Sequence, residues 1–379
     1  TFSGQETAGG NADGAGIGNF FRAPPSGFKA LCTQNLATPG IKKSTENFNT
    51  ILYTGNDTTN NITGVGFQPD LVWLKNRSQA ADHMLHDAVR GADNGIRSND
   101  NVVESDQSAN FTGFASDGFS LAAGSNRYND AGNSGSGENY VAWNWKANGS
   151  GSANTDGTIN TTSTSVNTTA GFSIGTYTGE GGLKTVGHGL GVVPAMIMVK
   201  CRSDAIDWCV YFGDSTDSLT LNDAAARDDN DNRWNDTAPT SSVFTVYSSN
   251  EVNDSGKTYV YYAFAEIEGF SKFGQYTGNA STNGMMVNLG FRPAFVMIKR
   301  LDAAGMGWGI FDNKRSPSNE VDELLYANSN DAEADSDTLN FLSNGFKVIT
   351  SGSDFINGSG GTMFYMAFAE SPFKYANAR

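Results

Sequence analysis

Gly66-Phe67-Gln68-Pro69-Asp70-Leu71-Val72-Trp73-Leu74-Lys75 is a turn, a proline and an apolar run closed by a lysine. The phrase returns as Gly191-Val192-Val193-Pro194 with Met196-Ile197-Met198-Val199-Lys200, and as Gly290-Phe291-Arg292-Pro293 with Phe295-Val296-Met297-Ile298-Lys299. Each is preceded by Tyr-Thr-Gly, at Tyr53, Tyr177 and Tyr276. The step from proline to lysine is six residues in all three, with the same apolar filling. Chance does not hold such spacing three times, so the chain is an internal triplication.

Alternation within the run reads as a β-strand, with Val72 and Leu74 on one side and Leu71, Trp73 and Lys75 on the other. Both sides are apolar up to the lysine, so the strand is expected to be central and covered on both faces. The lysine is expected to mark its emergence into solvent. The proline suits a strand start, where no ladder donor is required. Eight or nine residues past the lysine stands His83, Trp208 or Trp308, opening a return strand. Each copy closes with an apolar strand, at Tyr140–Trp143, Val260–Phe264 and Phe364–Phe368. Ahead of it runs a strand around Phe119, Phe244 or Phe346, after Asp117-Gly118 in copy 1 and Asn344-Gly345 in copy 3.

These elements predict an all-β chain of three tandem homologous antiparallel β-sandwich or jelly-roll-like modules. The divisions are a leading segment over 1–46, module 1 over 47–147, module 2 with a leading linker over 148–268 and module 3 over 269–379. Ala147–Asn154 has a flexible-linker composition, and the Ser/Thr-rich stretch through Val166 reads as an added edge strand. Copies 2 and 3 adjoin directly at Ala265–Gly269 and are expected to be rigidly coupled, with copy 1 looser. The Pro24-Pro25 pair in the leading segment argues for extended, edge-like chain, as at the end of an upstream domain.

Composition narrows the function. The 379 residues include 45 glycines, and 25 basic against 40 acidic residues give a net charge of −15. No basic cluster is present and the acidic excess repels phosphate backbones, so nucleic acid is not an expected partner. No apolar run approaches the roughly 18 residues of a membrane span. Cys32, Cys201 and Cys209 are too few for a disulfide framework and read best as free thiols.

Candidate chemistry is sparse. His83-x-x-His86-Asp87 could suggest a metal site on a helix, but on a strand the two imidazoles point to opposite faces, so packing is the plainer reading. Asp228-x-Asn230-x-Asn232 lacks the later glycine and glutamate of a calcium loop. Asp331, Glu333, Asp335 and Asp337 read as a solvated charge run. Gly187-His188-Gly189-Leu190-Gly191 precedes no helix and so resembles a phosphate loop only superficially. No catalytic set, metal site or cofactor is expected, because the residues shared by the copies specify strands and turns. Trp234 and Tyr128, in the polar excursions, are the candidates for stacking on sugar rings.

The phrase Ala23-Pro24-Pro25-Ser26-Gly27-Phe28-Lys29-Ala30-Leu31-Cys32-Thr33-Gln34-Asn35-Leu36 resembles the end of the concanavalin-like (SPRY-type) domains of tailed-phage virion proteins, marine ones especially. The Tyr-Thr-Gly, Gly-Phe-x-Pro and Val72-Trp73-Leu74-Lys75-Asn76-Arg77 phrases, with Val89-Arg90-Gly91, resemble the uncharacterised modules that follow such domains. The resemblance implies a non-enzymatic structural protein of the virion surface or tail appendage: a tail fibre, tail spike or head fibre. It also implies other virion proteins as partners, contact with host-surface glycan, and by analogy a homotrimer. The alternative is a bacterial cell-surface adhesin or carbohydrate-binding array.

Overall fold

The computed structural model describes residues 9–132, 135 and 137–376; the remaining ends of the leading segment and of module 3 lie outside the described residues. The post-proline phrases form strands buried along nearly all their length, as the two-sided apolar pattern requires.

Copy 1 contains β1 (Phe48–Thr54), β2 (Asn60–Ile62), β3 (Leu71–Asn76), β4 (Met84–Asp87), β5 (Gly91–Ile96), β6 (Ser105–Asp106), β7 (Phe111–Ala115), β8 (Gly118–Leu121) and β9 (Asn139–Trp145). Its main sheet runs β1-β9-β3-β4-β5-β6, and β2-β8-β7 form a small covering sheet. Copy 2 contains β10 (Ser163–Asn167), β11 (Phe172–Thr178), β12 (Lys184–Gly187), β13 (Met196–Cys201), β14 (Cys209–Tyr211), β15 (Asp217–Thr220), β16 (Asp228–Asp229), the short helix α1 (Asp231–Trp234), β17 (Val243–Val246) and β18 (Thr258–Phe264). Its sheet runs β10-β11-β18-β13-β14-β15-β16 under a β12-β17 pair. Copy 3 contains β19 (Ser271–Thr277), β20 (Met286–Asn288), β21 (Phe291–Arg300), β22 (Trp308–Asp312), β23 (Val321–Tyr326), β24 (Ala334–Leu342), β25 (Gly345–Val348), the short helix α2 (Asp354–Asn357) and β26 (Thr362–Pro372). Its strands join in one sheet, β19-β26-β21-β22-β23-β24-β25-β20.

The order is therefore the same three times: opening strand, closing strand, post-proline strand, return strand. Register agrees, since Tyr53 lies opposite Tyr140, Tyr177 opposite Tyr259 and Tyr276 opposite Met363. The closing strand is central, which accounts for its apolar residues on both faces.

Alternation then gives each sheet two apolar faces. One is covered by the copy's own hairpin: Val72, Leu74 and Ala142 under Phe111 and Phe119 in copy 1, for example. The other faces a core common to all three copies, where Trp73, Trp143 and Trp145 join Met198, Trp208, Tyr262 and Phe264, and Phe295, Met297, Trp308 and Phe368. Aromatic rings cross between copies, as Phe48 on Phe295 and Phe264 on Phe368. Each such side chain is worth about 1.5–3 kcal/mol when buried, so separating the copies would forfeit many of these terms at once.

The expectation of a looser copy 1 is corrected on this point. Ala147 and Gly149 donate their amides to the Asp70 carboxylate at 2.7 and 3.1 Å, and Asn148 donates to Ser165 Oγ at 2.8 Å. The Gly/Ser linker is thus pinned at its first residues, and the strand it leads to, β10, joins the sheet of copy 2 as the Ser/Thr pattern suggests.

The leading segment departs from its extended reading. Its described residues form no strand beyond an isolated bridge, Asn11 to Phe20. Its organiser is Asp13, which accepts hydrogen bonds from the amides of Ala30, Ile17 and Ala15 and from Asn35 Nδ2. Those donors, Ala30 first, hold its carboxyl well below the usual range. Lys374 ties the segment to copy 3 through Leu36 O at 2.8 Å.

Candidate functional site: the seams between the copies

The lysine that ends each post-proline strand does not emerge into solvent. Lys75, Lys200 and Lys299 are fully buried. Lys75 Nζ donates to the carbonyls of Asn76 (2.6 Å) and, across to copy 3, Asn330 (3.3 Å). Lys200 Nζ donates to Cys201 O, Ile206 O and, in copy 1, Asn101 O. Lys299 Nζ donates to Met306 O at 2.5 Å. Burial lowers each ammonium to about 8. The sequence pattern fails here because a lysine closing an apolar run looks the same whether it meets water or a cage of carbonyls.

The residue that opens each return strand links the copies in a closed ring. His83 Nε2 lies 3.1 Å from Tyr326 O, joining copy 1 to copy 3. Trp308 Nε1 donates to Thr220 O at 2.9 Å, joining 3 to 2. Trp208 Nε1 donates to Arg97 O at 2.8 Å, joining 2 to 1. The histidine of copy 1 thus performs the task of the tryptophans.

Beside two of these links lies a buried ionic network. Between copies 1 and 2, Arg90 Nε meets Asp87 Oδ2 at 2.5 Å and its Nη1 meets Glu104 at 2.8 Å, while Arg202 of copy 2 grips Glu104 through two bonds. Tyr262 of copy 2 donates to Asp87 at 2.6 Å. Between copies 3 and 1 the pattern recurs: Arg315 on Asp312 and Glu333, Arg77 of copy 1 on Glu333, and Trp143 Nε1 of copy 1 on Asp312 at 3.0 Å. Burial opposes ionisation of Glu104 and Glu333, but the paired guanidinium groups outweigh it and hold both below the usual carboxylate range.

Among the described residues, the third seam, between copies 2 and 3, carries no such network. Phe212 stands where the other copies have Asp87 and Asp312, Ser215 where they have Arg90 and Arg315, and Arg227 where they have Glu104 and Glu333. Leu301 replaces Arg77 and Arg202, and Met366 replaces Trp143 and Tyr262. Phe212 packs edge-on against Phe364 of copy 3, and Leu301 is fully buried. The backbone contact is kept: Arg227 N donates to Leu301 O at 2.9 Å, as Glu104 N does to Arg202 O and Glu333 N to Arg77 O.

A family match spans residues 43–372, taking in all three copies and all three seams. The chain belongs to the DUF7483 family, a domain of unknown function. No curated protein matches the sequence. The match begins after most of the leading segment and ends with β26, so the DUF7483 unit coincides with the shared core.

Within the DUF7483 unit the two candidate sugar-stacking residues are corrected. Tyr128 is 1% and Trp234 is 2% exposed, so neither presents a ring face to a ligand. Tyr128 hydrogen-bonds His86 Nε2 at 2.9 Å and accepts from Tyr53 at its carbonyl. Trp234 ends α1 and packs edge-on to Tyr211. Both lie in polar stretches that fold back so that Tyr128 joins Phe111 and Phe119, and Trp234 joins Phe244 and Val252, each over the outer face of its own sheet.

The remaining motifs find packing partners. His83 faces Trp73, and His86 stacks on Phe111 at 4.2 Å and donates from Nδ1 to Ala92 O, so the two imidazoles serve different neighbours. Burial pushes both well down, His86 to about 3. In the 228–232 stretch, Asn230 caps α1, and Arg233 neutralises Asp228 and Glu251. His188 is buried against Thr240 O. Glu333 is corrected from a solvated run to a seam residue, while the Asp337 side chain lies outside the described residues. Cys201 and Cys209 are buried free thiols. Aligning the copies on their lysines puts Arg77 with Arg202, and aligning them on His83, Trp208 and Trp308 puts Asp87 with Asp312; the two together would have exposed the network.

Proposed function

We propose that this DUF7483 chain is a non-catalytic structural protein of a phage virion, in a tail fibre, tail spike or head fibre, with loops that contact the host surface. The observation that supports it most is where the chemistry is spent. Arginines, carboxylates, lysines and histidines that could serve a reaction are buried in bonds that lock three copies to one core. Such a body suits a rigid exposed module, and its −15 charge favours solubility. The resemblance of residues 23–36 and of the repeated phrases supplies the particle.

Immunogold labelling of purified virions with an antibody to the chain tests the reading, with label expected on appendages or head fibres. Recovery of the chain from bacterial envelopes, with unlabelled particles, would overturn it in favour of a cell-surface adhesin. Sedimentation of the full chain tests the trimer, and release of sugars from host polysaccharide by the purified protein would overturn the non-catalytic part.

A further inference from the structure

Strand pairing puts three further positions in correspondence. Asn94 lies opposite Asp106 in copy 1, Asp217 opposite Asp229 in copy 2 and Glu323 opposite Asp335 in copy 3. Each of these opposite residues stands two places after the seam residue Glu104, Arg227 or Glu333. The arginines agree with the alignment, since Arg90 Nη1 donates to Asn94 O at 3.1 Å and Arg315 Nη1 to Glu323 O at 3.0 Å.

The chemistry at these positions differs. Copy 1 has the neutral Asn94 with Glu104. Copy 2 has Asp217 with Arg227, an ion pair at 3.3 Å. Copy 3 has Glu323 with Glu333, and their carboxyl groups hydrogen-bond each other. An ionised carboxyl only accepts, so two of them share a bond only when one is protonated. Arg77 and Arg315 both donate to Glu333 and keep it charged, so the proton belongs to the half-buried Glu323. The charged groups around Glu323 are Glu333 and Asp335 from the β24 side, Arg315 from the turn after β22, Arg77 from copy 1 and Asp322 on its own strand. Burial raises its carboxyl to about 7, helped by Glu333 and Asp335 and opposed by Arg77.

We propose that the Glu323–Glu333 pair is a proton-operated latch on the seam between copies 3 and 1, closed while the two carboxyls share a proton and loosened when Glu323 releases it to water. With both ionised, the repulsion falls on Glu333, the residue through which Arg77 ties copy 1 to copy 3. Two arginines hold Glu333, so β23 is the part that yields, and its ladder with β24 is already irregular between Val321 and Glu323. The folded value of about 7 lies above the unfolded 4.5, so the stabilising share of Glu323 is full below about pH 4.5 and is lost as pH rises through 7. Neither of the other seams has two carboxyls at these positions. The latch does not depend on the particle assignment.

Urea unfolding of the full chain and of its Glu323→Gln variant, from pH 5 to pH 8, tests it. The glutamine amide donates to Glu333 at every pH. The ratio of the unfolding constants, parent over variant, is expected to rise about ten-fold or more across that range, and the lysine and histidine contributions cancel in it. Hydrogen exchange, corrected for the free-amide rate, is expected to quicken at pH 8 along β23 and β24 in the parent but not in the variant, with β5 and β6 unchanged in both. Asn94→Glu gives copy 1 the same pair of carboxyls and is expected to add the same pH dependence to the seam between copies 1 and 2. A ratio that stays flat from pH 5 to pH 8 would overturn the proposal. So would equal quickening of β5 and β6 in the parent.

Discussion

The seam between copies 1 and 2 and the seam between copies 2 and 3 join equivalent strands with opposite chemistry. One buries Asp87, Arg90, Glu104 and Arg202 in mutual contact; the other seats Phe212 and Leu301 in an apolar contact. The backbone hydrogen bond beneath is the same. A buried ion network and a hydrophobic cluster of similar size are close in stability, and what is costly is half of either. Five positions have accordingly changed together. The difference teaches that these side chains act as sets, each complete in its own seam.

Moving one member of a set into the wrong seam should have the largest effect. Phe212→Asp gives copy 2 the residue found natively at 87 and 312, with no arginine to meet it. Losing the ring costs about 3–5 kcal/mol as for Phe→Ala, and the unpaired carboxylate adds to that. The variant is expected to be largely unfolded or insoluble, and adding Ser215→Arg should recover part of the loss. Urea midpoints of the two variants check this. A Phe212→Asp protein as stable as the parent would break the comparison.

Removing one member from an ionic set comes next. Arg315→Met leaves Asp312 buried without its guanidinium and is expected to cost about 3–5 kcal/mol, as is Arg90→Met. The two lie in different seams and share no partner, so a double variant should lose close to the sum. Converting the whole set between copies 3 and 1 to its apolar counterpart, with Asp312→Phe, Arg315→Ser, Glu333→Arg, Arg77→Leu and Trp143→Met together, should destabilise less than Arg315→Met alone.

This dependence on sets marks how far the sequence could be read. The strands, the hairpins at Asp117-Gly118 and Asn344-Gly345, the two-sided burial of β3 and the extra strand β10 were legible, since alternation and turn chemistry act within a few residues. The seams were not, because their partners stand far apart: Arg77 meets Glu333, and Tyr262 meets Asp87. Glu333, among acidic neighbours, looks solvated until its distant arginines are placed. Tyr128 and Trp234 mislead for the related reason that polar flanks conceal an aromatic turned inward.

Acid should act on copy 1 before the apolar seam. His83 and His86 have pKa values depressed by burial, so each contributes stability present above about pH 6.5 and lost as pH falls toward the folded value. Between pH 7 and pH 5 the loss from His86 is about 2 kcal/mol, at 1.36 kcal/mol per unit, and His83 acts in the same direction. Glu104 and Glu333, held low by arginine, extend the loss below pH 4.5. Hydrogen exchange at pH 5 should quicken around β4 and β5 while β14 and β21 stay protected. The buried lysines act at the other end: their values near 8 lie below the unfolded 10.5, so stability should rise as pH goes from about 8 to 10. Uniform quickening across all three seams in acid would remove the distinction.

The smallest effect tests what the seams share. Trp208→Phe and Trp308→Phe each delete one indole N–H and leave a carbonyl, Arg97 O or Thr220 O, without its donor. Leaving a buried acceptor unpaired costs about 1–3 kcal/mol. Trp208 lies beside the ionic network and Trp308 beside the apolar contact. If the ring of indole and imidazole links is independent of the chemistry next to it, the two losses should agree within about 0.5 kcal/mol, the usual spread for uncoupled sites. If Trp208→Phe costs much more, the link and the network are one unit, because Arg97 follows directly on β5, which the Arg90 network anchors through Asn94 O. A double variant of Trp208→Phe with Arg90→Met separates the cases: additive losses keep the ring and the networks distinct, and a shortfall from the sum joins them.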